Sequence, residues 1–287
     1  MPELPEVETM RRIVEEELLG RTLERLTITL PKLTRDSPIA DLGLLLGEHV
    51  TGSRRRAKVL VVDWSNGLSL MSHFMLAGQL AVERPGGHRR VAGHPVPNPT
   101  GTYPHKATHL VMEFDDGSVL WHSDIRQFGW VRLLPTADVP VAIEEFGFGP
   151  EAVGPDRIAV AELSARLARR RVPVKQVLLD QAVLAGLGNI YVDEALHRAR
   201  IHPATPAAAL TAAQVKSLHR TIAWALEEGI KQGGATIVHQ KAYPKDGFPS
   251  VHAREGEPCL RCRTPIEKMR VGGRGTYFCP KCQQPVD

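Results

Sequence analysis

Residues 57–74 read AKVLVVDWSNGLSLMSHF. Two runs rich in β-forming residues flank Ser-Asn-Gly, a turn sequence, so they predict consecutive strands. Similar runs surround them: TLERLTITL at 22–30, THLVMEF at 108–114, SVLWHS at 118–123 and WVRLL at 130–134. Another turn signal, Asp-Asp-Gly, separates two of these. So many short strands in so short a span predict a β-sandwich or barrel. The Pro/Gly-rich, basic stretch ERPGGHRRVAGHPVPNPTGTYP at 83–104 interrupts them and predicts a mobile loop.

Outside this β region the period changes. Residues 5–19 predict an amphipathic helix, with Val7, Met10, Val14 and Leu18 on one face. Pro5 suits the first turn, and Glu6 and Glu8 complement the positive end of the dipole. Neither point explains Pro2 or Glu3. After a linker over 135–152 the chain turns helical: AVAELSARLARR, PVKQVLLDQAVLAG, NIYVDEALHRA and TAAQVKSLHRTIAWALEEGIKQGG. The last opens on a Thr211/Gln214 capping box and stops at Gly233–Gly234.

All four cysteines, Cys259, Cys262, Cys279 and Cys282, fall in the closing segment. Two C-x2-C pairs separated by sixteen residues predict two knuckles on a β-hairpin whose thiolates converge on one Zn²⁺. Four protein ligands leave no open coordination position, so the metal is structural. Charge is uneven: residues 1–152 hold 16 Lys and Arg against 20 Asp and Glu, whereas residues 153–287 hold 20 against 12. A basic C-terminal half suits a polyanion such as nucleic acid, or is simply a solvated surface. No apolar run is long enough to span a bilayer and no secretory signal is visible, so a cytoplasmic protein is expected.

An N-terminal amine has a pKa near ~8 against ~10.4 for lysine, so at neutral pH it is unprotonated about 250 times more often. Removal of Met1 would leave Pro2 as a secondary amine, which condenses with an aldehyde to a permanently cationic iminium. Glu3 and Glu6 stand close enough in sequence to move protons.

PELPEVE at the terminus, RRAK at 55–58, GLGNIY at 186–191 and the C4 hairpin together resemble the formamidopyrimidine-DNA glycosylase family. The likeness runs the length of the chain. It implies an α+β protein: an N-terminal β-sandwich with flanking helices over 1–134, the linker, a helix-two-turn-helix domain over 153–235, and a specificity loop with the zinc β-hairpin over 236–287. It implies a monomer acting on double-stranded DNA that contains oxidised bases or abasic sites, with zinc as its one metal. Pro2 matches the nucleophile, Glu3 the proton-transferring carboxylate, Glu6 a second positioning carboxylate, and Lys58 an essential lysine in phosphate or base contact. Asn189 and Arg274 match the phosphate grip, and His105 a further phosphate contact. Asn189 could equally serve as an N-cap. Arg126 and Phe128 match side chains that fill the vacancy left by an extruded nucleotide.

The sequence departs from the family's pattern in three places. Leu76 stands where a methionine wedge is expected, with Met75 one residue off and, in a strand, on the opposite face. Gln127 replaces a second arginine. The segment 236–257 is shorter than expected and unlike the loop that reads an oxidised guanine. The resemblance implies a bifunctional glycosylase and abasic-site lyase for oxidised purines. The rivals are an endonuclease VIII-like preference for oxidised pyrimidines and a non-catalytic protein that only grips damaged duplex.

Overall fold

The computed structural model describes residues 2–95, 101–235 and 247–285. The chain divides into two compact units, the first reaching Phe146 and the second starting at Gly147.

The first unit opens with α1 (Leu4–Leu18) and β1 (Leu23–Ile28), followed by β2 (Val50–Arg56), β3 (Val59–Trp64), β4 (Leu68–His73) and β5 (Gly78–Glu83). β6 (Arg89–Gly93), β7 (Thr108–Phe114), β8 (Val119–Asp124), β9 (Trp130–Pro135) and α2 (Val139–Glu144) complete it. The strands form two antiparallel sheets, ordered β2-β3-β4-β9 and β1-β7-β8-β5-β6. Leu60, Val62, Leu70 and Phe74 from one sheet share a core with Leu80, Leu110, Met112 and Leu120 from the other. α1 packs beside β2 and β6, an edge strand of each sheet, and inserts Val7, Met10, Val14 and Leu18 into that core. The helix therefore covers open sheet edges as well as burying its apolar face.

Three strands were not expected. β2 reads VTGSRRR and β6 RRVAG, too polar to signal a strand, because each lies at a sheet edge with little surface to bury. β5 follows a tight turn that blurs its start. β6 lies inside the expected 83–104 loop, which therefore contains a paired strand; residues 96–100 of that stretch fall outside the described residues. The linker over 135–152 contains the short helix α2.

The second unit comprises α3 (Val160–Ala168), α4 (Val174–Leu179), α5 (Asn189–Ala199), α6 (Ala212–Lys231) and the hairpin β10 (Glu267–Val271)–β11 (Arg274–Phe278). α6 starts on the Thr211/Gln214 capping box. α4 stops at Leu179 although the apolar pattern runs on to 186. There the Gln181 side chain donates to Leu179 O and Leu187 O and accepts the Gly186 N–H, holding the two turns that lead to α5. A polar side chain thus supplies bonds that a continuing helix would have made. Among the described residues no helix is long and apolar enough to cross a membrane.

Candidate functional site

In the first unit, strand register brings the predicted residues to one end of the sandwich. Leu19 bridges to Val50 at the start of β2, while Arg55 near the end of β2 pairs with Glu8 of α1 at 3.4 Å. The head of α1 therefore lies beside the β2–β3 turn that carries Lys58. Pro2, Glu3 and Glu6 at that head are buried, as is Lys58. Glu6 Oε2 accepts the Glu3 backbone N–H at 2.8 Å, half of a capping box, which fixes the path of the chain terminus. The turn at 57–58 is tight: Ala57 has φ 51°, and Arg55 donates to its carbonyl at 2.8 Å. Arg55 thus joins RRAK to PELPEVE, which explains why the two stretches belong together.

His73 is a member of this cluster that sequence reasoning missed. It pairs with Val59, the residue after Lys58, and stacks on Trp130. Burial, helped by the Lys58 charge, pushes its pKa down to about 4, so it is neutral at pH 7. Nδ1 accepts the Met75 N–H at 3.0 Å, which puts the proton on Nε2 as a donor. A lone histidine ending an apolar strand carried no sequence signal of its own.

Two turns cross between the sheets at this same end. Gly78 pairs with Asp124 and His73 with Trp130, so the turns 74–78 and 124–130 lie side by side. In the first, a Cβ at Gly78 would meet Phe74 O at 2.5 Å, so only glycine closes it. Residues 75–77 are a turn rather than a strand, and the strand-alternation argument that set Met75 against Leu76 does not apply. Met75, with φ 46°, is 36% exposed, and Leu76 is half-buried. In the second turn Phe128 is 49% exposed, with the Arg126 guanidinium 5.3 Å from its ring centre. Gln127 has φ 54° between them.

Asp124 organises that turn. Its fully buried carboxylate accepts the N–H groups of Arg126, Phe128 and Gly129 at 2.7–2.9 Å. Hydrogen bonds to a charged group contribute ~1.5–3 kcal/mol each. Asp124→Asn is expected to loosen Arg126 and Phe128, slowing excision of a paired lesion more than cleavage at a baseless site. Single-turnover rates on the two duplexes check this; equal slowing would contradict it.

His105 precedes β7 at this end, its ring 4.8 Å from Tyr103. Nδ1 lies 3.3 Å from the Ala107 N–H, and Nε2 is buried with no partner among the described residues. Burial lowers its pKa.

In the second unit Asn189 and Arg274 come together. Gly188 is the N-cap of α5, so Asn189 does not cap it. Its Nδ2 instead donates to Gly275 O at 3.0 Å, beside Arg274, and its Oδ1 has no partner among the described residues. Val271 and Arg274 close a two-residue turn over Gly272 and Gly273, with φ 55° and 77°, the geometry glycine permits in a tight hairpin. Arg274 is exposed there.

A buried network supports this pair. The fully buried Lys175 Nζ donates to Asp193 Oδ1 at 2.6 Å and to the same Gly275 carbonyl at 3.1 Å. Asp193 Oδ2 also receives His252 Nδ1 at 2.8 Å and the Tyr277 N–H. The adjacent Glu194 accepts the backbone N–H groups of Ser250, Val251 and His252. Burial raises the Glu194 pKa, and those N–H bonds oppose the rise. A lysine within the apolar run of α4 was the available signal. Lys175→Met is expected to cost ~3–5 kcal/mol by stranding a buried carboxylate, read from urea unfolding. A loss below ~1 kcal/mol would contradict the buried pairing.

The four cysteine sulfurs lie within 4.8 Å of one another, with Cys262 Sγ 3.4 Å from Cys279 Sγ. A tetrahedral zinc with ~2.3 Å bonds needs sulfurs about 3.8 Å apart, so the set fits one Zn²⁺. His197 Nε2 approaches Cys259 Sγ at 3.5 Å, an outer contact that ties α5 to the knuckle. Residues 236–246 of the expected specificity loop fall outside the described residues.

Residues 1–131 match the formamidopyrimidine-DNA glycosylase N-terminal domain and residues 148–241 its H2TH domain. The chain belongs to the formamidopyrimidine-DNA glycosylase family. It is a DNA glycosylase acting on damaged DNA in repair. Residues 256–285 match the zinc finger found in FPG and IleRS, in keeping with one structural zinc. The formamidopyrimidine-DNA glycosylase of Chloroflexus aurantiacus is 38% identical over 289 residues, covering 99% of this chain and 98% of its own. Among solved structures, Lactococcus lactis Fpg with abasic-site-containing DNA aligns with a TM-score of 0.85 at 32% identity. The same protein with N7-benzyl-Fapy-dG-containing DNA gives 0.84 at 33%. Each covers 99% of this chain and 100% of that one.

Proposed function

We propose that the protein is a bifunctional glycosylase and abasic-site lyase for oxidised purines, formamidopyrimidine and 8-oxoguanine, working in the cytoplasm. The carrying observation is the gathering of Pro2, Glu3 and Lys58 at the end of the sandwich that also bears the Met75 and Phe128 turns. The Pro2 nitrogen attacks C1′ of the extruded nucleotide, the glycosidic bond breaks, and the base leaves with its electron pair and takes up the proton that the Pro2 nitrogen gives up. Opening of the sugar, with Glu3 delivering a proton to the ring oxygen, yields the iminium. Loss of a C2′ proton then expels the 3′ phosphate by β-elimination, and δ-elimination expels the 5′ phosphate. Lys58 and the Nε2 donor of His73 are suited to the flanking phosphates. Arg126, Phe128 and the Met75–Leu76 turn fill the vacancy. Asn189 and Arg274 hold backbone phosphate.

The test is a panel of duplexes, each bearing one lesion, followed in single turnover. Formamidopyrimidine and pre-formed abasic sites are expected to be cleaved readily, and 8-oxoguanine opposite cytosine more slowly, because the segment that departs from the family is the one that reads it. Faster excision of thymine glycol than of either purine would move the protein to the pyrimidine-preferring branch.

A further inference from the structure

The far end of α5 carries a cationic groove that the phosphate grip does not use. Arg198 and Arg200 come from the end of α5, Arg220 from α6, and Arg261 from between Cys259 and Cys262. They line a cavity of about 480 Å³ with Trp224 in its wall. An adjoining cavity of about 200 Å³ shares Arg198, Trp224 and Arg261 and adds Leu260 together with Glu194, His197 and Ser250. The groove is thus basic along one stretch and mixed along the next, where Leu260 and Trp224 are its apolar side chains. Asn189 begins the same helix, about 14 Å along the axis from Arg198 at ~1.5 Å per residue.

Some arginines elsewhere in this unit are paired, Arg166 with Glu162 and Arg254 with Glu257. Among the described residues no carboxylate pairs with Arg198, Arg200, Arg220 or Arg261. Basic side chains at a helix C-terminus complement its dipole, which accounts for Arg198 and for Arg261, a donor to the His197 and Arg198 carbonyls. It does not account for Arg220, which comes from another helix. Arg200 shares the dipole position but adopts φ 58° and ψ 39° at the C-cap, where glycine is the unstrained choice. An L side chain is strained there, so a guanidinium stands at a position that favours glycine.

We propose that this groove binds an acidic peptide segment of a partner protein, with its carboxylates on the arginines and an apolar side chain against Leu260 and Trp224. Planar guanidinium forks match carboxylates two bonds at a time. A single-stranded nucleic acid would instead need an open aromatic face to stack on. The Trp224 ring carries the Arg198 guanidinium at 3.8 Å and meets Phe248 edge-on, which leaves it poorly suited as a stacking platform.

The probe is a fluorescein-labelled peptide of four aspartates followed by Leu-Phe, titrated by anisotropy with the full-length, zinc-loaded protein. Saturable binding is expected, and the four-asparagine peptide should fail to bind. Arg220→Glu and Arg200→Glu, each checked for zinc content and helicity, should each weaken binding by about tenfold or more. Arg169→Glu, on a separate basic surface, should not. Excision of a lesion should be unchanged in Arg220→Glu, and a lesion duplex should not displace the peptide. Absence of saturable binding, or equal loss in Arg169→Glu, would overturn the proposal. So would displacement by oligothymidylate whose own binding falls with Arg220→Glu, since that result marks a nucleic-acid site.

Discussion

Borohydride added while the protein acts on a lesion-bearing duplex is expected to leave a stable protein–DNA adduct on residue 2. The reagent reduces the iminium that a secondary amine forms with C1′, and a reduced amine cannot hydrolyse. Once Met1 is removed two amines compete, those of Pro2 and Lys58, both buried at the same end of the sandwich. At neutral pH the terminal amine has the advantage, since its pKa near ~8 lies well below the ~10.4 of lysine. Peptide mapping decides between them, and an adduct on Lys58 would sink the assignment. Blocking the terminus by retention of Met1 should reduce trapping to background while duplex binding persists. Glu3→Gln should slow iminium formation on a lesion duplex by ~10²–10⁴ and cleavage at a pre-formed abasic site by less, because part of an abasic sugar already stands open as the aldehyde and needs no proton on its ring oxygen.

Loss of the metal should act on binding rather than chemistry. Cys279→Ser removes one of four convergent thiolates, and a hairpin of this size depends on its zinc for its fold. Arg274 sits at the tip of that hairpin and Gly275 O anchors both Asn189 and Lys175, so the whole grip loses its frame. The variant is expected to release zinc and to bind lesion duplex far more weakly, with a shallower salt dependence. Arg274→Ala, with the hairpin intact, should reduce the slope of log K against log salt by about 0.9, the value of one phosphate contact. Zinc release measured with a chromogenic chelator, together with salt titrations, checks both. An unchanged slope in Arg274→Ala would remove the phosphate role.

Much of the architecture was legible because its signals are local. The apolar spacing of Val7, Met10, Val14 and Leu18 predicts the first helix within a residue of its observed bounds. The Ser-Asn-Gly turn marks the β3–β4 hairpin, Thr211 and Gln214 mark the start of α6, and the cysteine spacing marks the zinc hairpin. The edge strands β2 and β6 were not legible, because an edge strand buries little and leaves no alternation to read. The early stop of α4 was hidden too, since it depends on what the Gln181 side chain bonds to.

The sequence by itself determined the chemistry available to this protein: a proline that becomes the terminal amine once Met1 is removed, next to glutamate, four thiolates at zinc spacing, and a lysine in an apolar run. These are properties of residue type and short spacing, which survive without any fold. Only the tertiary structure decided what those groups stand beside. His73 is neutral and lies next to Lys58 because of a cross-strand register. Asp124 commands three N–H groups because a turn closes around it. Lys175 and Asn189 share the Gly275 carbonyl, 100 and 86 positions further along the chain. Such contacts are set by register and packing between distant segments, and no local pattern encodes them.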